Sequence, residues 1–264
     1  MKKIYTNIGS CIFCKRSDPE VTFRTRPHTI PQTMGGRKIG VDVCDECNHY
    51  FGTADKTLHP ALTIEVCVKE VMELTKYLTD MAQAQNRGES LPQHRSIYFN
   101  VYQKEYKVVI KKCFLSTIGF KRVFTRCFKR GLYEFFLQEY HRQTGKGLDS
   151  RFDAIRRFAR YNEGEVPVWH LQFNPGMGIH FVTDETDGLE IPMSECGIKD
   201  IEEYGMFRLW MRGFVFYLAV TPQAETMWRP YLKQENDQMR GGIYRGVELL
   251  EDIQQVDFML SRFN

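Results

Sequence analysis

From Pro60 onward, apolar residues recur at helical spacing. Ala61, Ile64, Val68, Val71, Met72, Leu78 and Met81 are separated by Glu65, Lys69, Glu70, Glu73 and Lys76. This pattern predicts an amphipathic helix over residues 61–85, stopped by Asn86-Arg87-Gly88. Two runs rich in Val, Ile and Tyr, 96–102 and 106–112, predict strands joined as a hairpin through Gln103-Lys104-Glu105. A second helix is expected over 118–140. Phe120, Val123, Phe124, Cys127 and Phe135 form its apolar stripe, and Lys121, Arg122, Arg126, Lys129 and Arg130 form a basic one. A shorter helix over 151–161 follows Gly145-Lys146-Gly147. The last third reads as short strands, 166–173, 178–183, 190–193, 207–210 and 213–220, cut apart by Gly, Pro, Asn and Asp. In Phe207-Arg208-Leu209-Trp210-Met211-Arg212 the alternation gives one wet face. A final helix is expected over 245–260.

The first 58 residues have a different texture. They are turn-rich, punctuated by Gly and Pro, and hold too little apolar surface to fold alone. The pattern predicts a strand at 21–25, a reversal at Gly35-Gly36, a second strand at 39–43 and a helix at 44–56. The fold class that emerges is α+β. A small module, residues 1–58, precedes a larger mixed α/β region, 59–264, with amphipathic helices and an antiparallel sheet. Hydrophobic content of 42% and aromatic content of 13% support a packed core in that region. No internal repeat or low-complexity segment is present.

Charge narrows the picture only slightly. The net charge of +3 is mildly basic, so affinity for a polyanion would have to come from local clustering. No run of about 18 apolar residues occurs, which argues against a membrane span. No long apolar stretch follows Met1-Lys2-Lys3-Ile4-Tyr5, so no signal peptide is expected and the reading is cytoplasmic. In that reducing setting the eight cysteines are not read as disulfides. Cys67, Cys113, Cys127 and Cys196 lie among apolar residues and are expected to be buried thiols.

The other four cysteines carry chemistry. Cys11-x-x-Cys14 and Cys44-x-x-Cys47 are separated by 29 residues. Each x2 spacing lets one tight turn aim two thiolates at one ion, which suits tetrahedral Zn2+. Four protein ligands close the shell, so this zinc would be structural. It would supply the staple that so small a module needs.

Between the two pairs stand His28-Thr29-Ile30-Pro31 and Met34-Gly35-Gly36, and after them Cys47-Asn48 and Phe51-Gly52. In this order the stretch Cys11–Asp55 resembles the HNH endonuclease superfamily, whose core is the ββα-metal fold. The resemblance is to its bacterial and phage type, so a phage or bacterial-defence setting would suit. It implies hydrolysis of DNA phosphodiester bonds, with His28 as general base and Asn48 presenting an oxygen to a catalytic Mg2+ or Mn2+. In that pattern an acidic residue or a His precedes the base and helps hold the metal. Here the position is Pro27. If the helix runs to residue 56, Asn48, Gly52 and Asp55 share one face at i, i+4 and i+7, and Asp55 becomes the candidate replacement ligand. Arg24, Arg26, Arg37 and Lys38 flank His28 and suit a phosphate backbone, with Arg122 and Arg126 as a possible extension. Pro27 also leaves a second reading open, a catalytically inactive zinc-bound nucleic-acid-binding module or a protein-interaction adaptor. Residues 59–264 would then, as in the first reading, select substrate, oligomerise or sense.

Overall fold

The computed structural model describes residues 3–105, 107–173, 189–238 and 244–256. The chain begins with a largely irregular segment tied by turns, followed by α1 (Asp45–Phe51). Two short strands, β1 (Ala54–Asp55) and β2 (Leu62–Thr63), pair antiparallel and lead into α2 (Ile64–Asn86). The hairpin β3 (Phe99–Tyr102) and β4 (Lys107–Ile110) comes next, then the single turn α3 (Lys112–Leu115) and the long α4 (Phe120–Thr144). After α5 (Asp153–Tyr161) come β5 (Val168–Phe173), α6 (Glu195–Tyr204), β6 (Met206–Met211), β7 (Phe214–Ala219), α7 (Ala224–Gln238) and β8 (Tyr244–Leu249). The last four strands form one antiparallel sheet in the order β6-β7-β5-β8.

The central element is α4. At 1.5 Å per residue its 25 residues span roughly 37 Å, and Gly119 and Gly145 cap its ends in the left-handed conformation. It buries aromatic rings on several sides, with Phe124 against Tyr98, Phe128 against Phe216, and Phe136 against Phe152 and Phe207. On one further side it meets α2 at Gly131. A methyl group there would lie 2.3 Å from Val68 Cγ2 and 3.3 Å from Ile64 Cγ2, so only glycine lets the two helices approach this closely. One continuous hydrophobic core takes in residues of the first 58 together with α2, α4, α5 and the sheet.

Several elements follow the sequence pattern: α2, the β3–β4 hairpin, α4, α5, β5, β6 and β7. Others need correction. Neither expected strand, 21–25 or 39–43, forms; the pairing there is one bridge, His28–Ile39. The backbone N–H groups of Arg24 and Thr25 instead donate to Asp45 Oδ1, and Thr22 O accepts from Asp45 N. The segment is tied to the start of α1, and these two donors are withdrawn from a ladder. Helix α1 stops at Phe51, where Gly52 caps it and the chain turns away into β1. No strand forms at 190–193; the Gln143 side chain holds Ile191 O and Met193 N in place of a partner strand. The tail forms β8 rather than a helix over 245–249, because it can complete the edge of β5. Helices α6 and α7 were not read from the pattern. Cys113 and Cys196 are exposed, whereas Cys67 and Cys127 are buried. The expected strand at 178–183 and the end of the tail lie outside the described residues. No helix among the described residues is long and apolar enough to cross a membrane.

Candidate functional site

The cysteine pairs converge. The Sγ atoms of Cys11, Cys14, Cys44 and Cys47 all lie within 4.8 Å of one another, with Cys14 and Cys44 at 3.7 Å. A zinc–sulfur bond of about 2.3 Å places tetrahedral sulfur pairs about 3.8 Å apart, so the donor set fits Zn2+. Cys44 is the N-cap of α1 and Cys47 lies in its first turn, where the helix dipole favours thiolate. Cys44 N donates to Cys11 Sγ at 3.4 Å, and Arg160 Nε of α5 donates to Cys47 Sγ at 3.2 Å. Arg160 also pairs with Glu46 at 2.9 Å and lies 4.0 Å from the centroid of the Tyr50 ring. Hydrogen bonds from Cys11, then from Cys44 and Cys47, pull the Cys14 thiol far below its ordinary value, while the same tetrad pushes Cys47 far above. Thiols this close cannot all ionise unless a cation joins them.

The His28 loop lies beside this frame. The reversal at Gly35-Gly36 is steric: Gly35 has φ 94°, and a Cβ on Gly36 would sit 2.0 Å from Ile30 O. The loop then returns antiparallel, with Thr29 N on Lys38 O and Gly40 N on Pro27 O. His28 is half-buried within it. Burial first, and the nearby Arg26 charge second, lower its pKa from the ordinary imidazole value, so its ring stays unprotonated at neutral pH. Asn48, one turn into α1, donates its Nδ2 to Thr25 Oγ1 at 3.3 Å. This bond orients the amide and leaves Oδ1 as a donor to a cation.

Residues 11–59 match the family model of the HNH endonucleases. The match covers under a fifth of the chain and includes the cysteine tetrad, His28 and Asn48. It supports a nuclease-type function in general terms and, with it, a nucleic-acid substrate. No curated protein and no solved structure gives a significant match to the chain.

The matched segment is held by the helices that follow it. Arg156 of α5 donates to Ile12 O; Thr29 Oγ1 donates to Glu139, and His141 Nε2 lies 3.0 Å from Asp42 Oδ2. Tyr50 sits between Arg130 and Arg160 and donates to Asp55 Oδ2 at 2.9 Å.

Two of the residues singled out from the sequence have other partners here. With α1 ending at Phe51, Asp55 is off the helix and does not share a face with Asn48. It lies in β1, accepts from Thr57 and Tyr50, and stands 3.8 Å from buried Arg130. Arg126 is likewise engaged, donating to Asn162, Glu165 and the carbonyl of Gly164 and lying over Phe158. Arg122 is exposed near it. Both sit on the N-terminal half of α4, whereas the His28 loop packs at residues 138–141; Arg126 and Gln138 are about 18 Å apart along the axis. Arg24, Arg26 and Arg37 are exposed around the His28–Ile39 bridge, and Lys38 pairs with Glu190 at 3.3 Å.

A second polar group lies against the module and was not read from the sequence. Glu65 of α2 and Glu134 of α4 lie on helices that Gly131 draws close, near enough for the Glu65 charge to act on Glu134. A methyl group on Gly52 would be 3.5 Å from Glu65 Oε2, and one on Gly40 would be 3.1 Å from Gln138 Oε1. Gln138 Nε2 donates to Glu134 Oε1 at 3.0 Å. Burial pushes Glu65 up to about 7, and burial together with the Glu65 charge pushes Glu134 well above the ordinary range. The one sequence signal was two polar residues, Glu134 and Gln138, one turn apart on a helix otherwise rich in aromatic rings.

Proposed function

We propose that the chain is a divalent-metal-dependent endonuclease that hydrolyses DNA phosphodiester bonds, with a structural Zn2+ in the cysteine tetrad. The reading is carried by one observation: the HNH family match spans His28 and Asn48 on a frame whose four cysteines meet in zinc-binding geometry. His28 takes the proton of the attacking water, a role supported by its lowered pKa. Asn48 Oδ1 serves as an oxygen donor suited to Mg2+ or Mn2+. The cation, when bound, neutralises charge growing on the scissile phosphate. Arg24, Arg26, Arg37 and Lys38 hold the phosphate backbone on either side of His28, and Arg122 lies further out along α4. Residues 59–264 fix the module and are the candidate for substrate selection, self-association or sensing. The setting that fits is cytoplasmic, in a phage or a bacterial defence system.

Pro27 favours one competing reading. It is buried, its carbonyl accepts from Gly40 N, and its side chain offers no donor. Without another carboxylate the module would bind nucleic acid or a protein partner and cut nothing. Incubating the full chain with plasmid DNA and Mg2+ or Mn2+, beside His28→Ala and Asn48→Ala, separates the two. Cleavage by the parent chain and none by His28→Ala is expected. DNA binding without cleavage under any metal favours the inactive module.

A further inference from the structure

The carboxylate missing at residue 27 has an alternative source, and it lies outside the matched segment. We infer that Glu65 and Glu134, with Gln138 Oε1, form a divalent-cation site that completes the HNH centre from helices α2 and α4. This rests on the nuclease reading for its chemistry, but not for its geometry.

Three observations converge. The first is place. Glu65 reaches Gly52, one turn beyond Asn48 on α1, and Gln138 reaches Gly40, whose N–H is bonded to Pro27 O beside His28. The group therefore touches the HNH module at α1 on one side and at the base of the His28 loop on the other. The second is lack of partners. Glu134 is 1% exposed and Gln138 3% exposed, yet Glu134 Oε2 and Gln138 Oε1 accept no hydrogen bond. A buried carboxylate oxygen and a buried amide oxygen left unsatisfied together are costly and uncommon, and an unassigned ion is one of the few physical explanations. The third is charge. No cationic side chain forms an ion pair with either carboxylate among the described residues; Arg130, whose charge acts on Glu134, donates to Tyr50 and Ala159 O and pairs with Asp55 at 3.8 Å, with its Nη1 making no hydrogen bond. Two carboxylates and an amide oxygen are an all-oxygen set, suited to Mg2+ or Mn2+ rather than zinc. Glu65 is half-buried and Glu134 fully buried, so the two carboxylates would offer a cation one donor near the surface and one in the interior.

The test is Mn2+ binding to the zinc-loaded full chain, measured by electron paramagnetic resonance and calorimetry, with DNA cleavage measured in parallel. The parent chain is expected to bind one Mn2+. Glu65→Gln and Glu134→Gln are each expected to weaken it at least ten-fold, and His28→Ala should leave it intact while abolishing cleavage. Glutamine keeps the shape and cannot ionise, so metal-free Glu134→Gln should melt no lower than the parent, and Glu65→Gln serves should it not fold. Mn2+ binding lost in both variants, with no DNA cut by the parent, upholds the site and removes the nuclease reading. DNA cut by the parent while Mn2+ affinity is unchanged in both variants removes the site and keeps the nuclease. No Mn2+ binding by the parent chain overturns the site outright.

Discussion

Nε2 of His141 lies 3.0 Å from Oδ2 of Asp42, both residues essentially excluded from solvent. His141 Nδ1 accepts the N–H of Gly147, so the ring proton sits on Nε2 and is donated to the carboxylate. The other oxygen of Asp42 accepts from the backbone of Asn7, Ile8 and Gly9. One carboxylate thus ties the N-terminal residues, the family-matched segment and α4 together. Asp42→Ala strands three backbone donors and a buried imidazole, and is expected to cost about 3 kcal/mol. Urea denaturation followed by tryptophan fluorescence checks this; a loss under about 0.5 kcal/mol would show that the link is dispensable.

The tetrad should hold one Zn2+, and α5 should support it. Metal analysis is expected to find about one zinc per chain, with Cys44→Ser losing it and opening residues 1–58 to protease. Arg160→Ala removes a donor to Cys47 Sγ and an ion pair to Glu46, and should weaken zinc about ten-fold or more in chelator competition. Undiminished zinc affinity in Arg160→Ala would count against that support.

For pH the sign follows from His28. Its folded pKa is depressed, by burial first and the Arg26 charge second, so the ring remains a base below the ordinary value of about 6.5. The acid limb of kcat/KM for DNA cleavage should lie below that value, with activity present above it and lost as pH falls through it. Arg26→Ala removes the like charge and should shift the limb upward. A limb that does not move, or a downward shift, contradicts the assignment of the base.

Salt dependence should separate surface arginines from structural ones. Arg24→Ala and Arg26→Ala are each expected to lower the slope of log affinity against log salt by about 1. Arg126→Ala should leave the slope alone and lower stability instead, because its guanidinium braces Asn162 and Gly164. Equal slope changes for all three would place Arg126 on the DNA.

Gly131→Ala tests the close approach of α2 and α4. Its methyl would sit 2.3 Å from Val68 Cγ2. Overpacking of this kind costs about 1–3 kcal/mol, against about 1 kcal/mol gained in helix propensity. A net loss near 1 kcal/mol, seen as a lower Tm, is expected. A rise in Tm would mean that the helices separate freely.

The sequence by itself determined the parts whose physics is local. Cys-x-x-Cys geometry needs one turn, so the tetrad was readable from spacing alone. The Gly35-Gly36 reversal beside His28 and the amphipathic periods of α2 and α4 needed no distant partner either. The tertiary structure decided what depended on competition for partners. Asp45 takes the donors of Arg24 and Thr25, so no strand forms at 21–25 and one bridge, His28–Ile39, is the pairing that remains nearby. Gly52 and the β1–β2 pairing end α1 at Phe51, which removes Asp55 from the face of Asn48. Glu65, against Gly52, and Glu134, linked through Gln138 to Gly40, are separated from His28 by dozens of residues and sit within helices. Only the approach of α2 to α4 over Gly131 puts them beside the module, and no pattern along the chain encodes a contact at that range.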